Sequence, residues 1–260
     1  MSTYRTMPAG MRGALFSLVS GLILAVSAAA AEDRFETGRG ELVIHPVHHA
    51  SFVMDWNKQA IYVDPVGGAK LFARFPKPEV ILLTHIHGDH LDVKTLEGLV
   101  QPGTQIVAPA EVVQLLPVSL RKQTSTMANG ATNALLSFPI EAVAAYNVTE
   151  DRLKFHAQGR GNGYVLILGN KRVYISGDTE ETPEMRALKD IDIAFVCMNL
   201  PYTMDVGQAA KAVRKFHPKV VFPYHYRGGD LERFKQLVGT DANVEVRIRD
   251  WYASETSASR

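Results

Sequence analysis

The apolar, β-prone run Val80-Ile81-Leu82-Leu83 passes directly into Thr84-His85-Ile86-His87-Gly88-Asp89-His90, and no other stretch limits the fold of this chain as much. The run reads as a buried strand, so the polar groups emerge where the strand ends and its loop begins. Loops held on a rigid scaffold carry function. Three imidazoles and one carboxylate lie between positions 85 and 90, a density that points to a metal site. His85 and His87 can converge on one metal from a turning loop, while Asp89 and His90 point the other way. One loop can therefore serve two metals. Zinc accepts imidazole nitrogen and carboxylate oxygen, and a catalytic site keeps a position open for water.

A chain of 260 residues with 46% hydrophobic content can bury one large core. The expected organisation is a signal peptide over 1–31 and one domain over 32–260. Arg5 and Arg12 precede an apolar run from Ala14 to Ala31, which ends in the small residues Ser27-Ala28-Ala29-Ala30-Ala31 and offers A-x-A cleavage sites. The alternative is an uncleaved N-terminal anchor helix, since the run is near the shortest that spans a bilayer. Either way the domain faces outward, and a bacterial periplasm is the expected location. No membrane-spanning segment follows residue 31. Removing the leader takes two arginines and no acid from the 28 basic and 27 acidic residues, leaving a formal net charge of minus one. Such a balance gives no polyanion-binding surface, so a small-molecule substrate is expected and nucleic acid is not. The sequence leaves the oligomeric state open. The lone cysteine, Cys197, ends the run Ile191–Val196, cannot form an internal disulfide, and reads as core. An exported protein without disulfides is compatible with that compartment.

Short apolar strands follow the leader at Leu42–Ile44, Ser51–Met54, Ala60–Val63 and Val80–Leu83, separated by Asp64-Pro65, Gly67-Gly68, Pro76 and Pro78. Helices are expected at Val93–Leu99 and Glu111–Leu115, with a strand at Gln105–Ala108 between them. Alternation between Lys122 and Ala145 indicates further strands. The second half repeats this logic. Strands at Tyr164–Leu168 and Arg172–Ser176 run into Gly177-Asp178, Thr182-Pro183 opens a helix, and a strand follows at Ile191–Val196. Asp205 and Gln208 begin a helix whose apolar positions Ala209, Ala212, Val213 and Phe216 keep helical spacing, and Pro218 stops it. The strand Lys219–Pro223 then leads into Tyr224-His225-Tyr226.

Three strand ends thus deliver candidate ligands: His85, His87, Asp89 and His90 from the first, Asp178 from the second and His225 from the third. His156 is the only histidine between His90 and Asp178 and is the candidate for a missing ligand. With these residues the sequence resembles the metallo-β-lactamase superfamily, whose H-x-H-x-D-H motif matches residues 85–90. His49-Ala50-Ser51, Asp64-Pro65, Gly177-Asp178-Thr179, Tyr202-Thr203-Met204 and Pro223-Tyr224-His225-Tyr226 are similar to a bacterial and archaeal branch of metal-dependent hydrolases related to the ascorbate-phosphate lactonase-like proteins. The resemblance covers roughly residues 41–230. It implies an α/β (α+β) fold, a four-layer αββα sandwich with the active site at one edge of the two sheets.

The resemblance further implies a first metal on His85, His87 and His156, a second on Asp89, His90 and His225, and Asp178 bridging both. Asn147, beside Tyr146, competes with His156, but imidazole is the better zinc ligand. The implied cofactors are two divalent ions, zinc first, with manganese or iron as alternatives. Two such ions about 3.5–4 Å apart share a hydroxide that attacks a carbonyl or phosphorus, so no serine or cysteine nucleophile is needed. Asp89 and Asp178 are the expected catalytic carboxylates.

Around this set, Asp64 could fix the tautomer of a ligand imidazole or merely form a turn. His49 could contact metal ligands or substrate, or be structural. Tyr202, Tyr224 and Tyr226 could donate to an oxyanion, although aromatic packing is favoured for each. His45, His48 and His217 read as structural or surface residues. Gly159–Gly163 lacks a phosphate-loop signature and reads as a tight loop beside the site. Pocket walls are expected from Gly67–Phe75, Lys122–Asn133 and Tyr202–Asp205.

The expected function is a metal-dependent hydrolase of a small ester, lactone or phosphodiester. Asp178 stands where β-lactamases of this fold carry cysteine or no useful ligand, and Cys197 is too far along to substitute. The alternatives are an iron-dependent redox enzyme of the same fold, of the sulfur-dioxygenase type, and a non-catalytic metal-binding protein. His87 argues against the di-iron branch, which carries glutamate there. Mass analysis of exported protein should find a chain beginning near Ala31 or Glu32, and an intact Met1 would indicate an anchor.

Overall fold

In the computed structural model, residues 1–3, 32–134 and 137–252 are described. The leader over 4–31 lies outside them. Contacts divide the chain into Met1–Ala31 and Glu32–Arg260, and the second unit is the one considered below.

Strand parity builds the layers. In the first sheet, β1 (Asp33–Glu36), β2 (Glu41–His48), β3 (Ser51–Trp56), β4 (Gln59–Val63), β5 (Val80–Leu82), β6 (Gln105–Ala108) and β7 (Thr124–Thr126) lie in chain order. Successive side chains point to opposite faces. Val80 and Leu82 accordingly enter the core shared with the second sheet, while Ile81 and Leu83 enter a separate core on the other face. That second core also holds Leu96 and Leu99 of α1 (Val93–Leu99), Val112 of α2 (Ala110–Leu115) and Leu120 of α3 (Val118–Arg121). Two covered faces are why the sequence here is an unbroken apolar run.

The second sheet has the order β14-β13-β12-β11-β10-β9-β8, from β8 (Thr132–Asn133), β9 (Ile140–Ala145), β10 (Gly161–Leu168), β11 (Lys171–Ile175), β12 (Ile193–Cys197), β13 (Val220–Tyr224) and β14 (Glu245–Val246). In each sheet the first four strands in sequence pair antiparallel and the last three add in parallel. The halves therefore share a topology that no sequence repeat announces. Buried residues of α4 (Pro183–Arg186), α5 (Val206–Phe216) and α6 (Leu231–Val238), among them Met185, Val213 and Phe234, join the main core. The fold is the expected αββα sandwich.

Helix ends follow their sequence signals. Thr182 Oγ1 accepts from Met185 N at 3.1 Å with Pro183 behind it, and Asp205 with Gln208 forms a capping box on α5. His217, one of the histidines read as structural or surface, closes α5 in the left-handed conformation at φ 48° before Pro218. Among the described residues, no helix is long and apolar enough to cross a membrane.

One reading needs correction. Gly161–Gly163 is not loop but the start of β10. Glycine is required there because a Cβ on Gly163 would stand 2.7 Å from Ile175 O on the neighbouring strand. The N-terminal strand β1, the edge strand β14 and helix α6 were not anticipated, being short or lying outside the motif-bearing segments.

The sheets are locked together by stacked aromatic rings. Phe195 of β12 is fully buried, with ring centroids 4.3 Å from Phe52 of β3 and 5.2 Å from Phe222 of β13. Phe195→Ala should destabilise the fold by about 3–5 kcal/mol in denaturant melts. A loss below about 1 kcal/mol would mean that this cross-sheet packing is loose.

Candidate metal centre

Each side chain of the histidine cluster hangs from an abrupt stop. After β5, His90 N and Leu91 N both donate to His87 O, at 2.9 and 2.8 Å, turning the loop so that its four polar residues fan around a common space. After β4, Asp64 takes φ 40°, and after β13, His225 takes φ 47°. His49, in the turn between β2 and β3, has φ 55°. Non-glycine residues rarely accept such values, and clusters of them mark functional sites. After β11 the chain turns at Gly177, φ 59°, where a Cβ would lie 3.0 Å from Asn162 O and 3.1 Å from Thr84 Cβ; Asp178 follows at once. Most of these positions sit at the carboxyl ends of parallel strands, where open α/β sheets place ligands.

The loop from β9 to β10 brings His156, and Glu180 holds that loop. Glu180 is fully buried and accepts from Val148 N (2.7 Å), Thr149 N (2.6 Å) and Arg152 Nη1 (2.6 Å). Arg152 also donates to Thr203 O at 3.0 Å and Gln208 Oε1 at 2.8 Å, joining the turn to the start of α5.

Six imidazoles and two carboxylates meet as a result. One group is His85, His87 and His156, a second is His49, Asp89 and His225, and a third is His85, His90 and Asp178, with ligand atoms in each group within 4.8 Å of one another. Asp178 stands between them. Its Oδ2 lies 3.3 Å from His156 Nε2 and 3.9 Å from His85 Nε2, while its Oδ1 lies 3.3 Å from His90 Nε2 and 3.6 Å from His225 Nε2. His87 Nδ1 is 3.1 Å from His85 Nε2 and 3.2 Å from His156 Nε2. Asp89 Oδ2 lies 3.1 Å from His49 Nε2 and 3.4 Å from His225 Nε2. Asn147 touches the outer nitrogen of His156, its Nδ2 lying 3.3 Å from His156 Nδ1. Its amide nitrogen also donates to Tyr202 O at 2.7 Å and Arg152 O at 3.0 Å.

The remote ring nitrogens show how the imidazoles are aimed. Asp64, fully buried, accepts from Thr84 N (2.8 Å) and Thr84 Oγ1 (2.6 Å), and its Oδ2 lies 2.7 Å from His90 Nδ1. His156 Nδ1 lies 3.1 Å from the carbonyl of Tyr202. A carboxylate or carbonyl in that place takes the Nδ1 proton and leaves Nε2 with its lone pair turned inward.

Charge follows the same geometry. Burial pushes the His85 pKa well below the ordinary histidine value, keeping the ring neutral. Burial also opposes protonation of His90, but Asp178 and Asp64 outweigh it and hold that pKa well above the usual range. Burial disfavours ionised Asp178, yet facing His225 and His90 it stays far below the carboxylate range. Protons and metal ions compete for these lone pairs. His90 Nε2 and Asp178 Oδ1 are both buried and have no hydrogen-bond partner among the described residues, although only 3.3 Å separates them. With the His90 proton displaced, both atoms would be free to bind one cation. The donor set fits divalent metal.

The cluster opens into a cavity of about 780 Å³ lined in part by His48, Gly67, Asp92, Phe155, Tyr202 and Arg227. Four readings are revised here. His48, read as structural or surface, faces this cavity, because a register shift between Pro46 and His48 re-aims the strand. The 122–133 segment contributes no wall, since Asn129 Nδ2 ties it to Gly161 O (2.8 Å) and Asn162 Oδ1 (2.7 Å). Gly67–Phe75 contributes only Gly67, and Tyr202–Asp205 only Tyr202. Tyr202 stacks edge-on against Phe155 at 5.0 Å. Tyr224 is core, Tyr226 Oη donates to Arg249 O at 3.2 Å, and His45 lies 3.1 Å from Asp55. Cys197 is buried in β12, where burial pushes its thiol up to about 12. Asp92, Asn199 and Arg227 line the cavity without any signal in the local sequence.

The fold and this cluster define a β-lactamase superfamily protein, and a match to the β-lactamase superfamily domain over residues 43–225 shows that the chain belongs to that family. Among its relatives is a UPF0173 metal-dependent hydrolase of Pyrococcus abyssi, 30% identical over 214 residues that make up 76% of this chain and 92% of the relative. A crystal structure of a Parabacteroides distasonis protein, provisionally described as a metal-dependent hydrolase, matches with 42% identity and TM-score 0.78 over 85% of this chain and 99% of that one. A metallo hydrolase of the archaeon Ignicoccus hospitalis shares the fold at 22% identity and TM-score 0.66, covering 80% of this chain and 95% of its own.

Asp64→Asn tests the aiming of His90. The amide should turn a donor towards His90 Nδ1, force the proton onto Nε2 and weaken metal binding about 10–100-fold in a chelator competition. Unchanged affinity would show that Asp64 serves only the turn.

Proposed function

We propose that the protein is a metal-dependent hydrolase with a two-ion centre, acting on a small ester, lactone or phosphodiester. The observation that carries this is Asp178, whose two oxygens face separate histidine groups: Oδ2 faces His156 and His85, and Oδ1 faces His90 and His225. The relatives described as metal-dependent hydrolases support the reaction class. His85, His87 and His156 would hold one ion, Asp89, His90 and His225 the other, and Asp178 both. Zinc is the first choice for an N/O donor set of this kind. When bound, the ions supply Lewis acidity and lower the pKa of water towards 7.

The chain's own residues do the rest. Asp64 and the Tyr202 carbonyl face the Nδ1 atoms of His90 and His156 and so aim their Nε2 atoms at the centre. Asp89, with a half-exposed side chain, is the cluster carboxylate that opens most to the cavity. With Asp178 it is a carboxylate we assign to the catalytic centre, and its Oδ2 faces His49 and His225. Tyr202 and Arg227, on the cavity wall, are placed to contact the substrate. The cavity suits a small molecule in volume. Cys197 is removed from nucleophilic duty by its burial and raised pKa. Export to a bacterial periplasm is part of the same proposal.

Asp178→Ala should lose metal and turnover together, with activity on ester, lactone and phosphodiester panels falling at least about 100-fold. Normal metal content in that variant would contradict the bridge. A single iron in the wild-type protein would favour the redox alternative.

A further inference from the structure

Beyond the seven residues of the proposed two-ion centre, His49 has the marks of a ligand. Its side chain is buried, its Nε2 lies 3.1 Å from Asp89 Oδ2, and its ring centroid lies 4.0 Å from that of His225 with the planes tilted by 45°. The two imidazoles thus address one carboxylate oxygen from neighbouring positions, since His225 Nε2 is 3.4 Å from the same atom.

What holds His49 is the C-terminal stretch. His49 N donates to Trp251 O at 2.8 Å, and His49 Nδ1 lies 2.8 Å from Tyr252 Oη. Tyr252 Oη also accepts from Arg227 N at 3.0 Å. A phenol oxygen has two acceptor positions, so it can take the Nδ1 proton of His49 as well as the Arg227 amide. Nε2 is then left with its lone pair facing Asp89, the same arrangement that Asp64 creates for His90 and the Tyr202 carbonyl for His156. One potential ligand atom each from His49, Asp89 and His225 lies within 4.8 Å of the others, close enough for one cation to be held among them. Trp251 makes the clamp rigid: it is fully buried and its ring sits 5.7 Å from Phe52 and 5.6 Å from Tyr224 in the core between the sheets. The left-handed backbone of His49, φ 55°, is strain that this clamp holds in place.

We infer that His49 is an additional ligand of the second ion, shared with Asp89, His90 and His225, and that Tyr252 is its positioning residue. Trp251 and Tyr252 lie outside the residues 43–225 matched by the superfamily domain. The inference rests on the two-ion reading above.

The test is metal stoichiometry of the full chain loaded with Co²⁺, read by elemental analysis and by the visible absorption of the bound cobalt. His49→Asn is the first variant, because asparagine tolerates the left-handed backbone while its shorter side chain falls short of Asp89. Tyr252→Phe is the second, removing one oxygen and leaving the packing. Wild-type protein should bind two ions. His49→Asn should keep one and lose or markedly weaken the other, with an altered cobalt spectrum. Tyr252→Phe should still fill both sites at high metal, with about 10–100-fold weaker retention of one ion against a chelator. Two ions held by His49→Asn at wild-type affinity, with an unchanged spectrum, would overturn the assignment of His49 alone. A wild-type protein that binds one ion would overturn the two-ion reading and the His49 ligand with it.

Discussion

A buried carboxylate set among imidazoles organises this molecule. Asp178 is almost wholly buried, and four Nε2 atoms from three separate loops lie 3.3 to 3.9 Å from its oxygens. Burying an anion costs several kcal/mol unless positive charge accompanies it. The surrounding backbone shows the same pressure: His49, Asp64 and His225 all occupy left-handed conformations that disfavour non-glycine residues. Divalent ions held among these residues would supply that charge.

The fold makes that convergence possible through repetition. Each sheet begins as an antiparallel meander and ends in parallel strands, and the loops at the carboxyl ends of β4, β5, β11 and β13 meet at one edge of the sandwich. The stacked rings of Phe52, Phe195 and Phe222 hold the sheets in register beneath it. Buried side chains then fasten the loops: Asp64 ties β4 to the Thr84–His90 turn, and Glu180 ties the His156 loop to the turn after β11. Chemistry and stability therefore share the same residues within a few ångströms.

What was legible in the sequence was local. The H-x-H-x-D-H run, the strands bounded by Asp64-Pro65 and Gly177-Asp178, and the capping box at Asp205 announce themselves within a few residues, because strand alternation and cap chemistry act over that range. The reading of His156 rather than Asn147 as a ligand rests on ligand chemistry; the structure sets His156 beside His85 and His87, with the Asn147 amide 3.3 Å behind its Nδ1. The clamp on His49 was not legible, since Tyr252 lies 203 residues away and neither residue carries a motif for the contact. The cavity walls were misjudged for a similar reason. Whether a loop such as 122–133 faces the site depends on side-chain ties such as those of Asn129, and these exist only in the folded chain.

The two-ion centre can be tested directly by X-ray absorption spectroscopy on zinc-loaded protein of known metal content. A shared Asp178 carboxylate predicts two ions per chain, nitrogen- and oxygen-ligated without sulfur, with a metal–metal distance of about 3.5–4 Å. A single ion with no metal neighbour would contradict it.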